Sequence, residues 1–190
     1  MAIVRAKNFD DGGAANNNSV QKPKKKRHMN PWLRLLIKLV VLACIGYALF
    51  YFAIGIEVYH GENMYPFVMD GDLLILYKLD PYNVGDVVAY SVPDTEETRV
   101  SRIVAYGENE VEITDYGEVL LNGYLPAEKV FYKTERLDGS DIQFPLMMKS
   151  DEYFLLDDYR TEGYDSRAFG SVTEDAFKGK VLYLFRKRGI

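Results

Sequence analysis

The chain has 190 residues and a formal net charge of −5, with 48% apolar and 14% aromatic residues. The charge is divided unevenly: residues 1–56 carry nine Lys/Arg against two Asp/Glu and residues 57–190 carry fourteen against twenty-six, so the net charges are +7 and −12. The acidic part would repel nucleic-acid phosphates, which excludes nucleic acid as the expected partner.

The first thirty residues have little apolar content and contain the segment GGAANNNS and the basic run KPKKKRH. Such a composition cannot bury enough apolar surface to fold. We therefore interpret residues 1–30 as a disordered basic tail.

Residues 31–56 form the one long apolar segment of the chain, and residues 39–56 contain no charge. This length suffices for a transmembrane helix, since about 20 apolar residues cross a bilayer. A cleavable signal peptide is the competing interpretation, but the apolar run is too long and no A-x-A-like site follows it. A buried core helix is disfavoured because the segment has no polar face.

Basic residues precede this helix, whereas Glu57 and Glu62 follow it. The positive-inside rule then places the N-terminus in the cytosol and residues 57–190 outside it. We expect a single-pass membrane protein with an extracytoplasmic C-terminal domain, in contact with membrane lipid.

Residues 57–190 are predicted to be mainly β, arranged as coiled antiparallel sheets. Short apolar or alternating runs, separated by turn residues such as Asp70-Gly71 and residues 83–85, are typical of strands. Asn122-Gly123 predicts a tight hairpin turn, and residues 172–177 predict a short turn of helix. The predicted strands are 72–79, 86–91, 99–106, 110–114, 118–122, 152–156 and 180–185.

Few residues of this chain offer catalytic or ligating chemistry. The only cysteine, Cys44, lies in the apolar segment, and His28 and His60 are the only histidines. A disulfide, a thiolate nucleophile, a Ser-His-Asp triad and a zinc site are therefore not expected. No Gly-rich phosphate loop or paired metal ligands are visible, so we expect no cofactor and no metal.

Four segments occur in order after the apolar helix: ENMYPFVMDGD (62–72), GDVVAY (85–90), VSRIVAYGENEVEI (100–113) and LDDYRTEGYDSRAFGSV (156–172). VLLNGYLPAE (119–128) and GKVLYLF (179–185) extend the pattern. Together they resemble the type I signal peptidases, which are membrane-anchored serine proteases. The resemblance covers nearly all of residues 57–190 and implies that family's fold.

The resemblance implies a nucleophilic serine before the Met of the first segment and a lysine base before Arg-Ile-Val of the third. This sequence has Asn63 and Ser101 at those positions. An amide forms no acyl-enzyme in this way, and a hydroxyl is no base near neutral pH. We predict that the dyad is absent.

Two supporting positions also depart from the family pattern. Gly163 stands where many members have a serine that orients the lysine, and Phe67 replaces a threonine. The residues that remain are interpreted as scaffold, in turns and a carboxylate–guanidinium pair: Gly71, Asp72, Gly85, Asp86, Asp165, Ser166 and Arg167. A substitute base is not expected from the lysines outside the motifs, namely Lys78, Lys129, Lys133, Lys149, Lys178, Lys180 and Lys187.

Met64, Tyr65 and Phe67 are predicted to line a binding groove beside the degenerate site. The leading hypothesis is a signal peptidase-like protein that acts without cleavage, similar to the members that assist sortase-dependent pilus assembly in Gram-positive bacteria. Its partners would be pilin subunits, a pilus sortase or both. The alternatives are an active signal peptidase cleaving exported preproteins and a membrane-tethered structural protein without a groove.

Overall fold

The computed structural model describes residues 30–95, 97–126, 132–161 and 163–186. The tail predicted for residues 1–30 therefore lies, except for Asn30, outside the described residues. Helix α1 spans Pro31–Ala53, and none of its residues is buried. Its mean hydropathy of 2.3 and its 23 residues fit a single-pass membrane anchor.

Ten strands and two short helical segments follow α1. The elements are β1 (Ile54–Val58), β2 (Leu73–Tyr77), β3 (Val87–Ser91), β4 (Thr98–Tyr106), β5 (Glu110–Ile113), β6 (Val119–Leu121), β7 (Leu146–Met147), β8 (Glu152–Leu156), α2 (Ser166–Phe169), β9 (Val172–Thr173), a 3₁₀ helix (Glu174–Ala176) and β10 (Phe177–Phe185). The mainly β prediction is confirmed.

The strands form two antiparallel sheets. Seven strands pair in the order β1-β2-β10-β3-β4-β8-β9, and three pair in the order β6-β5-β7. Strand β4 changes partners along its length: Thr98 to Arg102 pair with β3, and Arg102 to Tyr106 pair with β8. Among the described strands, the first half of β4 is thus paired on one side only.

All seven predicted strands are present, shifted by up to three residues at their ends. The Asn122-Gly123 turn is confirmed: both residues have positive φ (52° and 80°), as a type I′ hairpin requires. The 3₁₀ helix Glu174–Ala176 is the helical turn predicted in residues 172–177.

Strands β1, β7 and β9 and helix α2 were not predicted. Helix α1 ends three residues before the predicted boundary because residues 54–58 pair with β2 in register Ile54↔Tyr77 to Val58↔Leu73. Residues 54–56 are as apolar as the helix, so hydropathy alone could not separate them from it. Strands β7 and β9 have two residues each, too few for an alternating pattern.

Three buried clusters stabilise the β part of the chain. The first packs Tyr59, Met64 and Val68 of the β1–β2 connection against β2, β3 and β4. It holds that connection over the sheet, where β4 begins and β8 ends. Asn63 and Ser101, the two site positions predicted from the sequence, lie at this junction.

Candidate functional site

The connection between β1 and β2, residues 59–72, carries the first site position. Its two ends are clamped together, because Tyr59 N–H donates to Asp72 O and Gly71 N–H donates to Tyr59 O, both at 2.9 Å. Gly71 has a φ of 81°, which favours glycine. Buried Asp72 accepts a 2.9 Å bond from Met69 N–H. Gly71 and Asp72 thus lie in the turn that closes this connection, and their assignment as scaffold stays a prediction.

Asn63 is held by its side chain and its backbone. Its Oδ1 accepts a hydrogen bond from the Tyr59 hydroxyl, and its Nδ2 donates to Val100 O at 3.1 Å. Its carbonyl accepts from Tyr159 N–H at 2.9 Å. Burial raises the pKa of the Tyr59 hydroxyl to about 12, so this group remains a donor. The amide is built into the fold by these contacts.

Ser101 is fully buried one residue beyond Val100, so the structure brings both predicted site positions together. Its Oγ donates to Asp157 Oδ1 at 2.5 Å and lies 3.1 Å from the Tyr90 hydroxyl. Burial raises the pKa of Tyr90, which therefore stays neutral. Both of these partners are themselves fully buried, so the Ser101 hydroxyl is enclosed in the core.

Asp157 is the central residue that the sequence analysis missed. Burial and, to a smaller extent, the nearby Asp165 carboxylate raise its pKa to about 7, although Ser101, Asn63 and Arg99 act in the opposite direction. Its Oδ2 accepts no direct hydrogen bond within the described part of the chain; Arg99 Nη2 is 3.9 Å away. The only sequence signal was a second acidic residue beside Asp158, directly after an apolar strand.

Gly163 lies against the same carboxylate. A Cβ at this position would be 2.6 Å from Arg167 Nη2, 2.8 Å from Asp165 Oδ2 and 3.0 Å from Asp157 Oδ2. A serine therefore cannot enter without displacing charged groups. The serine that the family resemblance implies at position 163 would therefore be in steric conflict with the Asp157 carboxylate as well.

The segment of residues 165–167 packs next to Asp157. Both oxygens of Asp165 pair with the Arg167 guanidinium at 2.8 Å, and both side chains are fully buried. Asp165 also accepts from Asp157 N–H at 3.0 Å, and Ser166 Oγ accepts from Leu155 N–H at 2.9 Å. These contacts join the three residues to the end of β8, and their assignment as scaffold stays a prediction.

A cavity of about 310 Å³ opens beside Asn63, and we call it the Asn63 cavity. Strand β1 contributes Glu57 and Val58 to its wall, and the singly paired half of β4 contributes Thr98, Arg99 and Val100. Arg99 donates to Glu97 at 3.0 Å and lies over the Tyr164 ring at 5.5 Å. The other lining residues are Tyr59, His60, Gly61, Glu62, Asn63, Glu97 and Tyr159.

Of the three predicted groove residues, only Tyr65 lines a described cavity. Met64 is fully buried in the core, so its assignment to the groove is corrected. Phe67 is 46% exposed, but its ring lies under the Arg102 guanidinium at 5.1 Å and lines none of the described cavities. An apolar side chain in a loop can face the core or solvent, and sequence alone does not distinguish these.

Comparison with known proteins gives the family. Residues 31–185 match the family described as signal peptidase, peptidase S26. The chain belongs to this signal peptidase family. Among its relatives is a probable signal peptidase I-2 of Synechocystis, 23% identical over 88% of this chain and 81% of the relative. Signal peptidase I P of Bacillus subtilis subsp. natto is 25% identical over 85% and 91%.

A further relative and a solved structure carry the same family name. Signal peptidase I T of Bacillus subtilis is 26% identical over 89% of this chain and 92% of the relative. A solved signal peptidase I from Enterococcus faecalis covers 55% of this chain and 98% of its own, with 21% identity and a TM-score of 0.46.

In this signal peptidase family member, a second hydroxyl, that of Thr98, is hydrogen-bonded to a lysine. Lys178 Nζ donates to Thr98 Oγ1, and both side chains are half-buried. Thr98 lines the Asn63 cavity, whereas Lys178 lines a separate cavity beside Gly55 and Leu76. Lys129 and Lys187 lie outside the described residues.

Proposed function

We propose that this signal peptidase family member binds an extended segment of an exported protein without cleaving it, and that it assists sortase-dependent pilus assembly at the cell surface. The observation that carries the proposal is the contact of Ser101 with Asp157 beside Asn63. Acyl transfer needs a nucleophile and a base. The Asn63 amide is in the position of the nucleophile, and the buried Ser101 hydroxyl, bonded to the Asp157 carboxylate, is in the position of the base. The pilin and sortase partners are inferred from the resemblance to degenerate members.

The site chemistry supports binding over cleavage. A serine hydroxyl becomes a good nucleophile only when a neighbouring base takes its proton and a substrate carbonyl can reach it. Asp157 accepts a bond from Ser101, but both side chains are fully buried. The group that faces the cavity is the Asn63 amide, which cannot form the acyl intermediate.

The edges of the cavity support recognition of an extended peptide. Among the strands that the structure describes, β1 pairs only with β2 and the first half of β4 pairs only with β3, so each has an unpaired side. Both strands line the Asn63 cavity. Main-chain hydrogen bonds from such edges bind a peptide strand with no need for a nucleophile.

The proposed location follows from α1 and from the charge on its two sides. The basic run of residues 22–28 precedes the helix, and by the positive-inside rule this supports a location of the sheets outside the cytosol. Exposed apolar side chains on β1 and β10 would contact lipid: Ile56, Val58, Leu182, Tyr183 and Phe185.

Incubating the full-length protein in detergent micelles with a preprotein carrying an Ala-x-Ala site tests the proposal. Loss of nucleophile and base together costs on the order of 10⁶ in rate, so we expect no product above the enzyme-free control. Cleavage that disappears in Asn63→Ala or Ser101→Ala would refute the proposal. Tyr116→Ala, a change at an exposed turn residue, is the matched control.

The contact of Thr98 with Lys178 favours one second candidate, a signal peptidase with a relocated hydroxyl–amine pair. A lysine base needs removal from water, whereas Lys178 is only half-buried. Cleavage abolished by Thr98→Val and by Lys178→Met, yet kept in Asn63→Ala, would establish this candidate. Absence of both cleavage and peptide binding would leave a tethered structural protein.

A further inference from the structure

A second cavity, of about 440 Å³, adjoins the Asn63 cavity and has a different chemistry. Three tyrosines and two carboxylates dominate its wall, and Glu62 and Tyr159 belong to both cavities. We call it the tyrosine cage, and its lining residues are Glu62, Tyr65, Met69, Asp70, Tyr132 and Tyr159.

The rings of the cage form two walls at a right angle. Tyr132 and Tyr159 meet edge to face, with centroids 4.9 Å apart and planes at 88°. Tyr65, which is half-exposed, is the third tyrosine of the lining. Aromatic faces set at right angles surround a compact cation, since the negative face of each ring attracts positive charge.

The charged groups of the cage are all acidic. Glu62 and Asp70 line it, and no Lys or Arg is among its described lining residues. Asp70 accepts a 3.1 Å bond from Gly61 N–H and lies 3.5 Å from His60 Nδ1, and its carboxylate remains largely exposed. Two carboxylates beside three aromatic faces favour a ligand with an ammonium group on an apolar stem.

We propose that the tyrosine cage binds the ammonium group of a lysine side chain in the peptide that occupies the Asn63 cavity. This inference rests on the proposed peptide-binding function. Because Glu62 and Tyr159 are shared, a strand in the first cavity can direct one side chain into the second. The net charge of −12 in residues 57–190 also attracts a basic segment.

The test uses the full-length protein in maltoside micelles, which contain no choline. Two peptides that differ only in one residue, lysine or the uncharged norleucine, are titrated, and the methyl NMR signal of Met69 reports on the cage. We expect the lysine peptide to bind about tenfold more tightly. Tyr132→Leu and Asp70→Asn should each remove most of this preference, while Tyr132→Phe should retain it.

Tyr132 and Asp70 line the cage and not the Asn63 cavity, but they contact Tyr159 and Gly61, which do line it. The affinity of each variant for the norleucine peptide therefore reports any change in the Asn63 cavity, and loss confined to the lysine peptide reports the cage. Tyr116→Leu, at an exposed turn, is the control. Equal binding of the two peptides would overturn the lysine assignment and leave the peptide-binding function intact. A third result is that neither peptide binds, but n-butylammonium shifts the Met69 signal and this shift is lost in Tyr132→Leu. The ammonium site would then be supported, and the peptide-binding function would be refuted.

Two further outcomes would overturn the inference. One is that n-butylammonium causes no shift of the Met69 signal at any concentration up to the one at which the lysine peptide saturates its binding. The other is a larger shift with phosphocholine than with n-butylammonium at equal concentration, which would assign the cage to a lipid headgroup.

Discussion

At the scale of single residues, Asp157 constrains the side chains that positions 101 and 163 can hold. Its carboxylate binds Ser101 at 2.5 Å and lies within 3.0 Å of a Cβ added at Gly163. A lysine at position 101 would meet this carboxylate directly. The resulting ion pair favours the charged ammonium, which is the protonation state that cannot act as a base.

The double variant Asn63→Ser/Ser101→Lys should therefore remain inactive toward an Ala-x-Ala preprotein. Adding Asp157→Ala removes the ion pair, and we expect at least about 10²-fold more cleavage than in the double variant. Asp151→Ala, which removes an exposed carboxylate, is the matched control. Ordinary cleavage rates in the double variant would show that Asp157 does not block the site.

The raised pKa of Asp157 also predicts how stability depends on pH. Burial raises this pKa from 3.8 to about 7, so the folded protein keeps a proton that the unfolded chain has lost between those values. This contribution is present at low pH and lost as pH rises to 7, by about 4 kcal/mol at most. The free energy of unfolding of Asp157→Asn should fall less over this interval than that of the wild type.

Denaturant unfolding of the full-length protein between pH 4 and pH 8 measures this difference. Asparagine keeps an oxygen that can accept the Ser101 bond, so the comparison isolates ionisation. Asp151→Asn controls for surface charge. Parallel pH profiles of the wild type and Asp157→Asn would contradict the buried-carboxyl interpretation.

At the scale of elements, the β1–β2 connection separates side chains that are adjacent in sequence. Met64 packs in the core, Tyr65 lines the tyrosine cage, and the Phe67 ring lies under the Arg102 guanidinium. The connection can do this because backbone bonds at Tyr59, Gly71 and Asp72 close its base. One connection thus contributes to both folding and recognition.

Tyr65→Ala should weaken binding of the partner peptide, while Phe67→Ala should have a smaller effect. Truncation of a large interface anchor costs about 1–3 kcal/mol, whereas a ring outside the described cavities has no such role. Peptide titration and pilus assembly in cells carrying each variant measure the difference. Unchanged assembly in Tyr65→Ala, with Tyr116→Ala as control, would count against recognition by this connection.

At the scale of the whole chain, the apolar helix α1 is suited to a lipid bilayer and the acidic β region is suited to water. Helix α1 has the length and hydropathy of a single membrane span, and its residues have no buried contacts. The exposed apolar residues of β1 and β10 fit a region that meets lipid. The basic residues before α1 determine the expected orientation.

Protease added outside intact protoplasts should digest the β region and leave a tag fused to the N-terminus protected. Replacing Lys22, Lys24, Lys25, Lys26 and Arg27 with neutral residues should reduce the fraction of chains in this orientation, because the K/R bias sets it. Immunoblots of both ends measure the outcome. Digestion of the N-terminal tag in the wild type would reverse the proposed topology.

The sequence by itself determined the features that depend on local pattern. Uncharged length predicted α1, alternation of apolar residues predicted seven strands, and Asn122-Gly123 predicted its turn, because each follows from interactions between near neighbours in the chain. Asn63 and Ser101 were found in the same way, since each stands inside a short motif.

Only the tertiary structure decided what those residues contact. The bond of Ser101 to Asp157 spans 56 positions, and the cage joins residues 62–70 to Tyr132 and Tyr159. Such contacts arise when β4 changes partner from β3 to β8 and the β1–β2 connection folds over the junction. Burial and pKa depend on all surrounding groups at once, so no local pattern reveals that Asp157 is enclosed or that Met64 faces inward.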